Sequence, residues 1–178
     1  MSISKHLGFL GHLSQFRFKL KLDRNASEML SEVGVSEGQN VLDFGCGSGT
    51  YSISAAKLVG KEGKIYSLDV SQRALENLLR KAKDEDLDNI VTILSSGNFG
   101  IPIDDSTLNH VLLIDVLQEI SDKETLLEEI QRILKPDGLM TVYPMHIDPD
   151  EVTRLTSSMN FTLKGRTFQE QILIFEKS

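Results

Sequence analysis

The chain has 178 residues, 40% of them hydrophobic and 25% charged, with a formal net charge of -7. That length supports one well-buried core and not two ordinary domains, and the net charge opposes general attraction to nucleic-acid phosphates, so a nucleic-acid partner is not expected. No apolar run approaches the length of a bilayer span, so stable membrane insertion is not expected, and MSISKHLGFLGHL lacks the apolar core of a secretory signal, which points to a cytoplasmic setting. Cys46 is the single cysteine, and His6, His12, His110 and His146 lack ligand spacing; neither an intrachain disulfide nor a metal site is expected.

Residues 1–34 read as an amphipathic arm. Lys5, Arg17, Lys19, Lys21 and Arg24 stand against Asp23, and Leu7, Phe9, Leu10, Leu13, Phe16, Phe18, Leu20 and Leu22 lie between them. The arm is expected to lie over the core or the cofactor cleft, in preference to a membrane or RNA contact. Residues 35–178 read as one domain. NVLDF (40–44) is a strand that runs into Gly45, followed by a helix over 50–59 with Ile53, Ala56 and Leu58 on its buried face. KIYSLD (64–69) is a second strand, and Ser71 caps a helix with Ala74, Leu75, Leu78, Leu79 and Ala82 on one stripe. IVTIL (90–94) is a third strand, 95–107 a loop, and LNHVLLID (108–115) a fourth strand. Ser121 and Glu124 have capping-box spacing ahead of a helix that Pro136, Asp137 and Gly138 end, and LMTVYP is the fifth strand. Asp148 and Pro149 open a last helix with Val152, Leu155 and Met159 inward. FTLKGRTF (161–168) and QILIFEK (171–177) are too close in sequence for a parallel crossover and should form an antiparallel hairpin. The expected fold is a three-layer, doubly wound α/β domain with a mostly parallel seven-stranded sheet ending in that hairpin.

Asp43, Gly45, Gly47 and Gly49 sit in VLDFGCGSG at the end of the first strand, where an open α/β sheet places its ligand crevice. Glycines there let a ligand approach the backbone closely. Asp69 ends the second strand, where a carboxylate matches the paired hydroxyls of a ribose, and Val70 follows it to line an adenine face. Together these residues point to an adenosine-bearing cofactor.

On these motifs the chain resembles the class I S-adenosylmethionine-dependent methyltransferases. VLDFGCGSG is similar to their first motif, IYSLDVS to the acidic second-strand motif, LLIDVLQEISD to the fourth-strand motif and RILKPDGLM to the turn before the fifth strand. The terminal hairpin resembles the family's reversed seventh strand. The resemblance implies a Rossmann-like methyltransferase fold, S-adenosylmethionine as cofactor and S-adenosylhomocysteine as product. It implies that Gly45, Gly47 and Gly49 approach the methionine portion, that Asp43 stands near the methionine amino group and that Asp69 grips the ribose. Asn98 takes the place of the family's adenine-binding aspartate, offset by one residue. Cys46 reads as a small turn residue, not a nucleophile.

A sulfonium methyl is already activated, so an acceptor held in line reacts without a fixed catalytic residue. Substrate-side candidates after the fourth and fifth strands are Asp115, Gln118, Glu119, Tyr143 and His146, and Asp115 also counts toward the cofactor. Gln118 and Glu119 stand where many small-molecule relatives carry a histidine pair. The acceptor is expected to be a small molecule. The connections are short, so the arm, with Phe9, Phe16 and Phe18 as an apolar lid, or a second subunit, is expected to close the site. Two other classes stay open: a cofactor-binding subunit or sensor without chemistry, and an NAD-type oxidoreductase, which the spacing Gly45-Cys46-Gly47-Ser48-Gly49 disfavours.

Overall fold

The computed structural model describes residues 15–97 and 100–178. Residues 15–24 are helical (α1) and lead through Asn25 into α2 (Ala26–Glu32). The buried run of β1 (Asn40–Phe44) enters the sheet centre, and Gly49, at φ +80°, caps α3 (Thr50–Val59). Next come β2 (Lys64–Asp69) and α4 (Gln72–Asp84), where the Ser71 hydroxyl accepts from the Ala74 N–H as expected of an N-cap. β3 (Ile90–Leu94) precedes β4 (Leu108–Ile114). A 3-10 turn (Leu117–Glu119), α5 (Lys123–Ile133), β5 (Leu134–Tyr143), α6 (Pro149–Ser158), β6 (Phe161–Thr167) and β7 (Ile172–Lys177) complete the order.

The seven strands form one sheet in the order β3-β2-β1-β4-β5-β7-β6. β1 pairs parallel with both β2 and β4, and β7 runs antiparallel to both neighbours, which makes it the reversed strand. The chain winds outward from β1 to β3 and then returns to lay β4 on the other side of β1. This change of direction opens a crevice beyond the carboxyl ends of β1 and β4. One sheet face packs Leu42, Phe44, Val111 and Leu113 against Leu126, Leu127, Ile130 and Ile133 of α5. The other packs Val41, Ile65, Leu112 and Ile114 against Met29 and Leu30 of α2 and Ala55, Ala56 and Val59 of α3.

Three details differ from expectation: α5 ends at Ile133 and β5 begins at Leu134, so Pro136, Asp137 and Gly138 fall within the strand and not in a turn ahead of it. Asp122, not Ser121, caps α5: its carboxylate accepts from the Thr125 N–H at 3.0 Å and from the Thr125 hydroxyl at 2.8 Å. Aspartate wins because it offers two acceptor oxygens to two donors. On α4, Leu79 is 45% exposed and lies off the buried stripe of Leu75, Leu78 and Ala82. The two bonds from Thr125 also hold the Asp122 carboxyl below its ordinary value. Its contribution is therefore present above the unfolded pKa and is lost as pH falls through the folded one. Asp122→Ala should lower the urea midpoint near neutral pH, and Ser121→Ala should leave it unchanged; equal shifts would refute the cap assignment.

Candidate functional site

The crevice is a cavity of about 470 Å3 bounded by the ends of four strands. Phe44 and Gly45 close β1, Leu68 to Val70 close β2, Ser95 and Gly97 follow β3, and Asp115, Val116 and Glu119 to Ser121 follow β4. Gly45, at φ +74°, is needed here for space as well as conformation. A Cβ at this position would stand 2.6 Å from Val116 Cγ2, far inside contact distance. The glycine turn and the β4 exit thus meet directly across the switch point.

Asp69 binds the turn and the second helix together. Its Oδ2 accepts from the Gly47 N–H at 2.8 Å and its Oδ1 from the Ser71 N–H at 2.8 Å. A carboxylate oxygen has two lone pairs, so each keeps one to offer into the cavity that Asp69 lines. Val70, next in sequence, is 69% exposed on the cavity wall, an unusual position for an apolar side chain without a flat partner.

Asp43 lies behind the turn, 2% exposed. Its Oδ2 accepts from the Ser52 hydroxyl at 2.6 Å, and Ser52 in turn accepts from the Ser67 hydroxyl at 2.8 Å. Burial pushes the Asp43 carboxyl up to about 6, against the lowering effect of the Ser52 bonds, with the Asp69 charge adding a smaller upward push. Cys46 is buried against Ile53, Leu75 and Leu78, and burial raises its thiol far above the range where a thiolate forms. Gly49 backs onto Leu78.

The substrate-side candidates separate. Asp115, at φ +58°, and Glu119 line the cavity. Gln118 stands behind Asp115, donating through Nε2 to the Asp115 carbonyl at 2.8 Å and to its Oδ1 at 2.7 Å, while its buried Oε1 has no protein partner. Tyr143 is 1% exposed, its ring 5.6 Å from that of Phe18 in α1 and its hydroxyl without a partner. Burial first, then the Asp115 and Asp23 charges, push that hydroxyl up to about 12. His146 is exposed after β5, away from the cavity lining. Asn98 and Phe9 lie outside the described residues.

α1 is pinned over this end of the sheet. The Tyr51 hydroxyl donates to Asp23 Oδ1 at 2.8 Å, Lys19 Nζ donates to the same oxygen at 2.6 Å, and Leu22 is 1% exposed. Lys19 Nζ also lies 5.2 Å from the Tyr51 ring centroid, a cation–π contact. The pinned residues are Phe18, Lys19, Leu22 and Asp23. Sequence reasoning missed Phe44, Leu68, Ser95, Val116 and Ile120 as cavity walls; their common signal is adjacency to strand ends already identified.

The chain matches the family model described as a methyltransferase domain over residues 35–171. It is 30% identical over 138 residues to a demethylmenaquinone methyltransferase of Geobacillus stearothermophilus, covering 78% of this chain and 57% of that protein. It is 35% identical over 106 residues to the demethylmenaquinone methyltransferase of Bacillus subtilis, covering 60% of this chain and 45% of that one. The chain thus spans about half the length of these curated relatives. A SAM-dependent methyltransferase from Aquifex aeolicus shares the fold with a TM-score of 0.77 at 23% identity, over 91% of this chain and 96% of that one. The chain belongs to the methyltransferase domain family, as a class I S-adenosylmethionine-dependent member. S-adenosylmethionine is the cofactor that this membership implies. The residues fit that cofactor: an apolar-walled cavity, a carboxylate with free lone pairs at its rim and a turn that a single Cβ would obstruct.

Asp43 sets a pH dependence of the protein without its cofactor. Because its folded pKa lies above the unfolded value of 3.8, the folded state holds the extra proton, and stability falls as pH rises from about 4 to about 6. Asp43→Asn should remove that decline, raising stability near neutral pH by an amount on the order of 3 kcal/mol. Urea unfolding of both proteins across this range checks it; parallel profiles would mean that Asp43 is ionised throughout.

Proposed function

We propose that the protein transfers the methyl group of S-adenosylmethionine to a small aromatic acceptor of the quinone type by direct in-line displacement. The observation that carries the reading is the convergence of Gly45, Asp69 and Asp115 on one cavity at the switch point. The acceptor class rests on the demethylmenaquinone methyltransferases to which the chain is similar.

When bound, S-adenosylmethionine supplies a sulfonium methyl that is already activated for displacement. Asp69 offers its remaining lone pairs to the ribose hydroxyls, and the bonds from Gly47 and Ser71 keep its carboxylate in place for that task. Val70 and Ile120, on the walls of the cavity, flank the adenine. Gly45, Gly47 and Gly49 present backbone to the methionine portion, and Cys46 serves only to pack the turn onto α4. Asp43 puts a carboxylate behind that turn, so a bound ammonium favours its ionised form and lowers its pKa again.

Asp115, oriented by Gln118, and Glu119 face the acceptor side, and Tyr143 closes the β5 end beneath Phe18. A quinol ring carbon flanked by an oxyanion is a stabilised carbanion equivalent. Such a nucleophile needs placement about 3 Å from the methyl and exclusion of water more than it needs a strong base. The role proposed for Glu119 is to accept the hydroxyl proton of a quinol that arrives neutral. The proposed role of α1 is to cover the acceptor end through Phe18, which packs on Tyr143; Phe16, 55% exposed on the opposite face of the helix, takes no part in the lid expected of it.

Asp69→Ala should weaken S-adenosylhomocysteine binding by about a hundredfold, since two charge-assisted hydrogen bonds and the anchored turn are lost together. Calorimetric titration measures this, and unchanged affinity would refute the ribose assignment. Incubation with labelled S-adenosylmethionine and demethylmenaquinone chemically reduced to its quinol should give a methylated quinol, with Glu119→Gln slowed about a hundredfold. Tight cofactor binding with no methyl transfer to that quinol would sink the acceptor class.

A further inference from the structure

α1 has two faces with opposite commitments. Phe18, Lys19, Leu22 and Asp23 face the protein, held by Tyr143 and Tyr51. The other face carries Phe16, 55% exposed, Leu20, 40% exposed, and the exposed cations Arg17, Lys21 and Arg24. Successive residues advance by about 100° around a helix, so these five occupy one continuous sector of roughly 140°. Among the described residues no carboxylate pairs with Arg17, Lys21 or Arg24. The same three line an open concavity of about 790 Å3 between α1 and Gln169 at the β6–β7 turn. In a chain with a net charge of -7, a cluster of three cations beside two exposed apolar side chains is a local reversal of the protein's electrostatic character.

We propose that this face of α1 docks the enzyme on an anionic lipid bilayer. Phe16 and Leu20 enter the headgroup and acyl boundary, and Arg17, Lys21 and Arg24 pair with lipid phosphates around the concavity. Charge complementarity selects the partner: the face pairs apolar with cationic groups, the combination that suits the boundary between acyl chains and phosphates, whereas binding to single-stranded nucleic acid calls for aromatic stacking platforms along a basic groove. The inference deepens the quinone reading and rests on it for its purpose, because an acceptor with a polyprenyl tail resides in the bilayer. Phe18 packs on Tyr143, whose carbonyl accepts from the N–H of the cavity residue Asp115 at 3.0 Å, so one helix touches the lipid on one side and, through Tyr143, the cavity wall on the other. No helix among the described residues is long and apolar enough to cross a membrane, so this is attachment at the surface.

The test is sedimentation of the full chain with vesicles of phosphatidylcholine, with and without phosphatidylglycerol. Binding is expected only to the anionic vesicles and should weaken with added salt. Each cation near such a surface contributes about a fivefold factor, so Arg17→Gln, Lys21→Gln and Arg24→Gln combined should weaken binding by about a hundredfold. Phe16→Ser with Leu20→Ser should weaken it at every salt concentration. Neither variant should alter turnover of a short-chain, water-soluble quinone supplied as its reduced quinol, because none of these residues lies in the cavity. No binding to anionic vesicles overturns the proposal, as does a charge-dependent dimer or RNA complex formed in its place. If the soluble quinone is methylated while vesicles are not bound, the docking fails and the function stands. Vesicle binding without methylation of any quinone leaves the docking in place and removes the acceptor.

Discussion

The close approach of Gly45 to Val116 is the constraint on which the site depends. The turn after β1 and the exit from β4 are brought within side-chain contact because β1 and β4 are neighbours, and only a residue without a Cβ permits it. Asp69, Val70 and Ile120 line the cavity beside this contact, whereas Tyr51 and Tyr143 pack with Leu22 and Phe18 of α1. Asp69 transmits the constraint outward, since its two oxygens tie Gly47 to the start of α4. The turn is therefore held by a residue that also faces the cavity, and disturbance of one function disturbs the other.

Much of this was legible in the sequence because it lies in local patterns. The β1 and β2 runs, the glycine turn, Asp69 at a strand end and Ser71 as a cap all follow from periodicity and capping chemistry within a few residues. The reversed β7 was legible because the short connection after β6 excludes a crossover. The walls of the cavity were less so. Val116, Ile120 and Ser95 reach the site only through the sheet order, which brings residues more than 40 apart in sequence to the same rim. Separating Asp115 and Glu119, which line the cavity, from Tyr143 and His146, which do not, needed the alternation of β5 side chains and the course of α1. The α5 cap shows the limit at finer scale: Ser121 and Asp122 are both good caps, and backbone geometry chooses between them.

The two polar chains at the site differ in how they carry charge. Asp43, Ser52 and Ser67 form a buried relay with hydrogen bonds of 2.6 and 2.8 Å, and the carboxyl is raised by desolvation. Asp23, Lys19 and Tyr51 form a partly exposed cluster that is neutral as an ion pair and fixes a helix. The first is costly without a compensating cation, and the second is self-contained. A site built this way holds its cover in place with a balanced pair and reserves its unbalanced charge for a ligand.

Two buried polar atoms sharpen that distinction. Gln118 Oε1 and the Tyr143 hydroxyl lie just beyond the ends of β4 and at the end of β5, and neither finds a protein partner. Each such atom costs about 1–3 kcal/mol when desolvated. Gln118 accepts that cost while spending its amide hydrogens on Asp115, and Tyr143 accepts it while packing its ring on Phe18. Gln118 is held by its bonds to Asp115 and Tyr143 by its ring packing on Phe18, so neither can turn its unpaired atom to another partner. Fixing polar groups this way is costly to the empty protein and reduces the reorganisation required when a ligand arrives.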